Sequence, residues 1–144
     1  MSTPWVGEQV DRMSAEVLII EDHLVLQGLL EQRISQLRGY EVCGVASSGE
    51  EALALLEEIE TDLVLIDVHL PDGYGTEFVG VMLQRRPELS CVVMSGFDDA
   101  VLVKKALNAG AKGYLLKEEL HRVGVALDTV LAGGIYLTQG LTVN

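Results

Sequence analysis

The chain has 144 residues, of which 49% are apolar and only 5% aromatic, and its formal net charge is −12. That length suits one domain with a real core, and the composition makes the core aliphatic, as parallel sheets usually are. The acidity disfavours direct contact with nucleic acid and suits a cationic partner; no apolar stretch approaches a membrane span. No basic-then-apolar leader with a small-residue cleavage site is evident, so a cytoplasmic protein without membrane attachment is expected. Cys43 and Cys91 have neither CxxC pairing nor metal-ligand spacing, which predicts two buried, inert thiols.

Residues 1–15, with Pro4, Gly7 and the single tryptophan Trp5, show no periodicity and are expected to form a tail. Val17-Leu18-Ile19-Ile20 reads as a strand ending at Glu21-Asp22. Residues 23–38 have helical spacing, with Leu26, Leu29, Leu30, Ile34 and Leu37 on one face and Gly39 as the terminator. Tyr40 to Ala46 reads as a second strand. Ser47 and Glu50 match a capping box that would open a helix running to Ile59.

Leu63 to Asp67 is a third apolar run, followed by a turn-rich loop containing His69, Pro71, Gly73 and Gly75. Residues 76–86 read as a helix stopped by Pro87. Leu89 to Ser95 is a fourth strand. Asp98 or Asp99 can cap the next helix, which Gly110 ends. Gly113 to Lys117 is a fifth strand, and residues 118–132 form a last helix with Val123, Leu127, Val130 and Leu131 on one side. Strict alternation of five strands and five helices specifies an α/β fold with a parallel sheet covered on both faces. The natural topology is flavodoxin-like and doubly wound, with five strands in the order 2-1-3-4-5.

Four of these strands end in polar residues: Glu21-Asp22, Asp67, Ser95 and Lys117. One acid after a strand is more often a helix cap. All of them at equivalent strand ends, where open α/β sheets hold ligands, is hard to explain by capping. The set suits phosphoryl transfer to a carboxylate. Clustered carboxylates repel one another, and a hard cation such as Mg²⁺ relieves that repulsion and neutralises a phosphoryl group. Ser95 can donate a hydrogen bond to a phosphoryl oxygen, and Lys117 supplies a point charge.

The motifs Ile20-Glu21-Asp22, Asp67 with Pro71 and Gly75, Ser95-Gly96, and Tyr114 three before Lys117 together resemble the response-regulator receiver domain of two-component systems. The likeness covers residues 17–137 within an expected receiver domain 16–137, leaving 138–144 as a tail or the start of a linker. The stretch Ala106 to Lys117 and the run Gly133-Gly134-Ile135-Tyr136-Leu137 are similar to the subfamily that carries a helix-turn-helix DNA-binding output domain.

This resemblance implies roles. Asp67 would accept a phosphoryl group from a histidine kinase or phosphotransfer protein. Asp22, Glu21, Asp67 and the backbone carbonyl of His69 would hold Mg²⁺ or Mn²⁺. Ser95 and Lys117 would hold phosphoryl oxygens, and Tyr114 would be the switch aromatic, moving inward as Ser95 engages the phosphate.

In the family, the positions of His69 and Phe97 influence how fast water removes the phosphoryl group. Either these two side chains restrict the attacking water or both point to solvent. The fourth helix carries Val101, Leu102, Val103, Ala106 and Leu107, more apolar surface than one core stripe needs, which suggests a partner or homodimer face.

The expected protein is a phosphoacceptor switch rather than a turnover enzyme. Its phosphorylation would alter the face formed by the fourth helix, fifth strand and fifth helix, to control dimerisation or a transcriptional output domain. A stand-alone receiver that relays phosphate or signals by protein contact is the alternative. An aspartyl phosphatase would carry a second acid where His69 stands, and a flavodoxin-like cofactor binder would not place Glu21-Asp22 after its first strand. Gly73-Tyr74-Gly75 is turn chemistry, and His23 and His121 are expected at the surface.

Overall fold

The computed structural model describes residues 14–138. Residues 1–13, with Trp5, and 139–144 lie outside the described residues, so most of the expected tails is not tested. Within the described part the elements alternate as the apolar runs demand. They are β1 (Ala15–Ile20), α1 (Leu24–Ser35), β2 (Tyr40–Ala46), α2 (Gly49–Leu56) and β3 (Leu63–Asp67). A two-residue hairpin follows, β4 (His69–Leu70) and β5 (Gly73–Tyr74). Then come α3 (Gly75–Arg85), β6 (Ser90–Ser95), α4 (Ala100–Asn108), β7 (Gly113–Leu116), a 3₁₀ segment (Lys117–Arg122), α5 (Val123–Leu131) and β8 (Tyr136–Leu137).

The main sheet has the order β2-β1-β3-β6-β7-β8, and every pair is parallel. It is the expected doubly wound sheet with one strand more than the five predicted. The extra strand, β8, is only two residues long and has no periodicity to announce it.

Side-chain alternation along each strand divides the core. Leu18, Ile20, Val64, Ile66, Cys91, Val93 and Tyr114 pack against α2, α3 and α4. Val17, Ile19, Leu63, Leu65, Val92, Met94 and Leu115 pack against α1 and α5. Because both faces are covered, β3 is buried at all five positions and reads as an unbroken apolar run. Each fully buried Leu or Ile here contributes roughly 1.5–3 kcal/mol.

The structure corrects several local expectations. α2 is capped one residue later than predicted: Ser48, not Ser47, accepts from the Glu51 N–H at 3.1 Å, and the Glu51 carboxylate, not that of Glu50, reaches back to the Ser47 N–H at 2.7 Å. The last helix is not continuous over 118–132, since Glu119 leaves helical geometry (φ −118°, ψ 33°) while Leu120 turns into the core. Leu131 is exposed rather than on the buried side of α5, and Leu29 of α1 is half exposed.

α4 also differs: of the five apolar residues expected to form a surface there, only Val101 is exposed, because Val103 and Ala106 are buried and Leu102 and Leu107 lean on the core. Its apolar surplus is therefore mostly a broad core stripe. Asp99, rather than Asp98, caps α4, accepting from the Val101 N–H at 2.8 Å. Gly39 and Gly110 end their helices at positive φ, as expected. Cys91 is buried and its thiol is pushed up to about 12, whereas Cys43 is only half buried.

One connection in the fold spans the loop that follows Asp67. Asp72 accepts hydrogen bonds from the N–H groups of both Gly49 and Glu50, each at 3.0 Å, and so caps α2 from 22 or 23 residues away. These two donors hold the Asp72 carboxyl below its ordinary range. A carboxylate so depressed stabilises the fold fully above its unfolded pKa near 4, and that stability is lost as pH falls through the folded value. Asp72→Asn is expected to cost about 1 kcal/mol at neutral pH and to flatten the acid side of the stability profile. Urea titrations of both proteins between pH 7 and the acid limit check this; parallel profiles would contradict it.

Candidate functional site

Because β1, β3, β6 and β7 are adjacent and parallel, their carboxyl ends open on one edge of the sheet. The register pairs Ile20 with Ile66, Asp67 with Met94, and Ser95 with Leu116. Glu21-Asp22, Asp67, Ser95 and Lys117 therefore leave their strands at nearly the same level. Ligand oxygens of Glu21, Asp22 and Asp67 lie within 4.8 Å of one another. Glu21 and Asp67 are buried and Asp22 is exposed.

Asp67 is held at both oxygens. Its Oδ1 accepts from the His69 N–H at 3.2 Å, and its Oδ2 accepts from Lys117 Nζ at 2.9 Å. Lys117 Nζ also lies 3.1 Å from Glu21 Oε1. That approach is an ion pair off the direction of a good hydrogen bond, and among the described residues Glu21 Oε1 has no well-directed donor besides this ammonium. Glu21 Oε2 accepts from the His23 N–H at 3.1 Å.

The electrostatics of the pair look opposed. Burial works to lower the Lys117 ammonium, but Asp67 and then Glu21 outweigh it and raise the group above its ordinary value. A carboxylate paired with that lysine should fall, yet Glu21 is raised: burial comes first, and the Asp67 charge adds to it against the His23 N–H and Lys117. Lys117 therefore belongs chiefly to Asp67, and Glu21 is the under-compensated carboxylate. A buried carboxylate whose charge is only partly offset, beside two further acids, is a good fit for a hard divalent cation such as Mg²⁺.

Ser95 and Tyr114 hold the backbone of one residue, Phe97, from its two sides. Ser95 Oγ accepts from the Phe97 N–H at 3.0 Å, and the Tyr114 hydroxyl donates to the Phe97 carbonyl at 2.7 Å. Tyr114 is fully buried, so its ring already lies inward in this state. Burial, with Asp99 and Asp98 adding to it, raises the Tyr114 hydroxyl in spite of the Ser95 contact.

His69 and Phe97 are both exposed, with ring centroids 6.0 Å apart in an edge-to-face pair, and Tyr74 meets His69 at 5.6 Å. His23 and His121 are exposed, as expected. A cleft of about 440 Å³ runs from Asp22, Asp67 and Lys117 along α1 to Val25, Leu26 and Leu29. Val25 is three-quarters exposed there, so α1 presents an apolar wall of Val25, Leu26 and Leu29 beside the acids.

Two further residues support the site, and sequence reasoning missed the first of them. Gln27 Nε2 donates to the Glu21 carbonyl and to Ser47 Oγ, the latter at 3.0 Å, tying the end of β1 to the loop after β2. Gly75 was read as part of a motif, and the structure supplies its reason. A Cβ there would sit 2.2 Å from the Asp67 carbonyl oxygen, while the Gly75 N–H donates to the Val68 carbonyl at 2.7 Å. Gly75 had a sequence signal; Gln27 had none.

A five-helix parallel α/β sheet with an acid cluster, a serine and a lysine at its carboxyl edge defines a receiver-type signalling domain. The response regulator receiver domain model matches residues 17–125, and the chain belongs to that family. It is 31% identical over 140 residues to the transcriptional regulatory protein DegU of Brevibacillus brevis, covering 96% of this chain and 59% of that protein. It is 35% identical over 129 residues to the nitrate/nitrite response regulator protein NarL of Escherichia coli K12, covering 89% of this chain and 60% of that protein.

This chain thus spans about three-fifths of the length of these relatives. Among solved structures, a LuxR-family two-component response regulator from Aurantimonas sp. SI85-9A1 superposes with a TM-score of 0.85 at 25% identity, covering 89% of this chain and 92% of that one. Among the described residues, no helix is long and apolar enough to cross a membrane.

Proposed function

We propose that this chain is a phosphoacceptor switch in which Asp67 takes a phosphoryl group from a phosphohistidine on a sensor histidine kinase or phosphotransfer protein. A carboxylate oxygen of Asp67 attacks phosphorus, the N–P bond breaks, and the imidazole leaves with the electron pair. Glu21, Asp22, Asp67 and the His69 carbonyl would hold Mg²⁺, which when bound offsets the charge of the carboxylates and of the transferring group. Lys117 shifts from the Asp67 carboxylate to a phosphoryl oxygen. Ser95 turns its hydroxyl to the same group and releases the Phe97 N–H, leaving Phe97 held at its carbonyl by Tyr114. The observation that carries this reading is the buried Asp67 carboxylate at 2.9 Å from Lys117, with Glu21 and Asp22 beside it.

The signal then passes to the face formed by α4, β7 and α5, controlling a homodimer or an output domain. Both relatives are named as regulators, one of them transcriptional, and both are longer than this chain, which supports a transcriptional output. In this reading DNA is contacted by an output domain and not by this acidic surface. The domain modifies and demodifies itself and does not turn over a substrate. Incubation with acetyl phosphate and Mg²⁺ should add one phosphoryl group to the wild type by intact mass and none to Asp67→Asn. A wild type that gains no mass, or an Asp67→Asn variant that gains it equally, would refute the assignment.

The contact between His69 and Phe97 favours a shield over the phosphoryl group, because two exposed rings narrow the approach of water. His69→Ala should hydrolyse its phosphoaspartate several-fold faster than the wild type, followed as loss of the added mass over time. Equal decay rates would remove His69 from this role.

A further inference from the structure

The C-terminal edge strand is joined to the site by one hydroxyl. β8 lies parallel to β7, with Gly113 opposite Tyr136 and Tyr114 opposite Leu137. Backbone bonds at both ends of the pairing attach it: the Tyr136 N–H to the Lys112 carbonyl at 2.9 Å, and the Thr138 N–H to the Tyr114 carbonyl at 3.0 Å. Thr138, expected to start a tail or linker, is instead 1% exposed. Its Oγ1 accepts the Leu116 N–H at 2.8 Å and faces the Tyr114 carbonyl at 3.4 Å. Leu116 directly precedes Lys117, whose Nζ bonds Asp67.

We propose that Thr138 is a positioning residue for Lys117, coupling the phosphoacceptor site to the C-terminal edge strand. The coupling rests on the phosphoacceptor reading above.

The physical reason lies in the end of β7. Its Leu116 N–H is buried, and among the described residues the paired register ends at Leu137, so the Thr138 hydroxyl completes the ladder there. Without that acceptor, a buried donor is left unpaired and the peptide leading into Lys117 loses its anchor. β8 is two residues long, so it is cheap to release, and its hold on the sheet depends on the position of β7. Binding at the site and docking of the strand must then influence each other equally. Phosphorylation, by drawing Lys117 from the Asp67 carboxylate to the phosphoryl group, changes how firmly Tyr136 to Thr138 are held. Conversely, a load on the chain beyond Thr138 changes the affinity of the site.

The test uses beryllofluoride with Mg²⁺ as the phosphoryl mimic on the whole chain, read by amide hydrogen exchange and by calorimetry. In the wild type, the mimic should change exchange at the Tyr136 and Thr138 amides by about fivefold or more. Thr138→Val keeps the shape and removes the acceptor; it should weaken mimic binding about fivefold, and Thr138→Ser should restore it. A purely structural threonine would lower thermal stability in Thr138→Val and leave mimic affinity unchanged, which overturns the proposal. If Thr138→Val does not fold, the wild-type exchange decides. A mimic that protects the loop after Asp67 without altering Tyr136 and Thr138 overturns the coupling alone. A mimic that does not bind overturns the phosphoacceptor reading and the coupling together.

Discussion

Lys117→Met is expected to slow phosphoryl acceptance by Asp67 at least about 100-fold, the scale of losing one charge-stabilising donor in a buried site. The same substitution should tighten Mg²⁺ binding. Lys117 Nζ occupies the side of Asp67 and Glu21 that a cation also favours, at 2.9 and 3.1 Å. A unit charge near 4 Å is worth about 4 kcal/mol at the dielectric of a protein surface, and solvent relaxation leaves a gain of about tenfold in affinity. The two effects run in opposite directions, so loss of metal cannot mimic loss of the lysine. Calorimetric Mg²⁺ titration and intact-mass time courses with acetyl phosphate measure them separately. Phosphorylation at the wild-type rate, or weaker metal binding, would contradict the role given to Lys117.

Gly75→Ala is the second large effect. The added Cβ would meet the Asp67 carbonyl oxygen at 2.2 Å and its carbonyl carbon at 3.0 Å. Both are backbone atoms, so no rotamer change relieves the clash. Either α3 or the strand end must shift, and both are tied by the Gly75 N–H bond to Val68. A loss of about 3 kcal/mol is expected by urea denaturation, at the upper end of overpacking effects. Folded Gly75→Ala should also accept phosphate poorly, because the displaced peptide carries the nucleophile. A change below about 0.5 kcal/mol would show that the loop yields freely and that the glycine has another purpose.

Much of the fold was legible before any coordinates. Leu63 to Asp67 is buried on both faces, and such strands read as continuous apolar runs. The acids, serine and lysine were legible as a group because each ends a strand, and strand ends converge in a parallel sheet. The errors fell where the local pattern was ambiguous. α1 carries apolar residues on more than one face, with Leu24, Val25 and Leu29 exposed, so periodicity alone could not choose the core stripe. Two serines and two glutamates in succession allowed a capping box in either frame, and the structure selects Ser48 with Glu51.

Composition and periodicity, then, settle the elements and the layers, because burial repeats every two residues in a strand and about 3.6 in a helix, and the topology natural to that alternation supplies the strand order and the edge on which the site opens. Only the folded chain decides which of several carboxylates caps α2, why Gly75 must lack a Cβ, and that Thr138 closes the end of β7. These features depend on hydrogen bonds and close approaches between groups 22 to 24 residues apart in the Thr138 and Asp72 contacts. Such pairings leave no repeating trace in the sequence, since they exist only once the register of the sheet has brought the groups together.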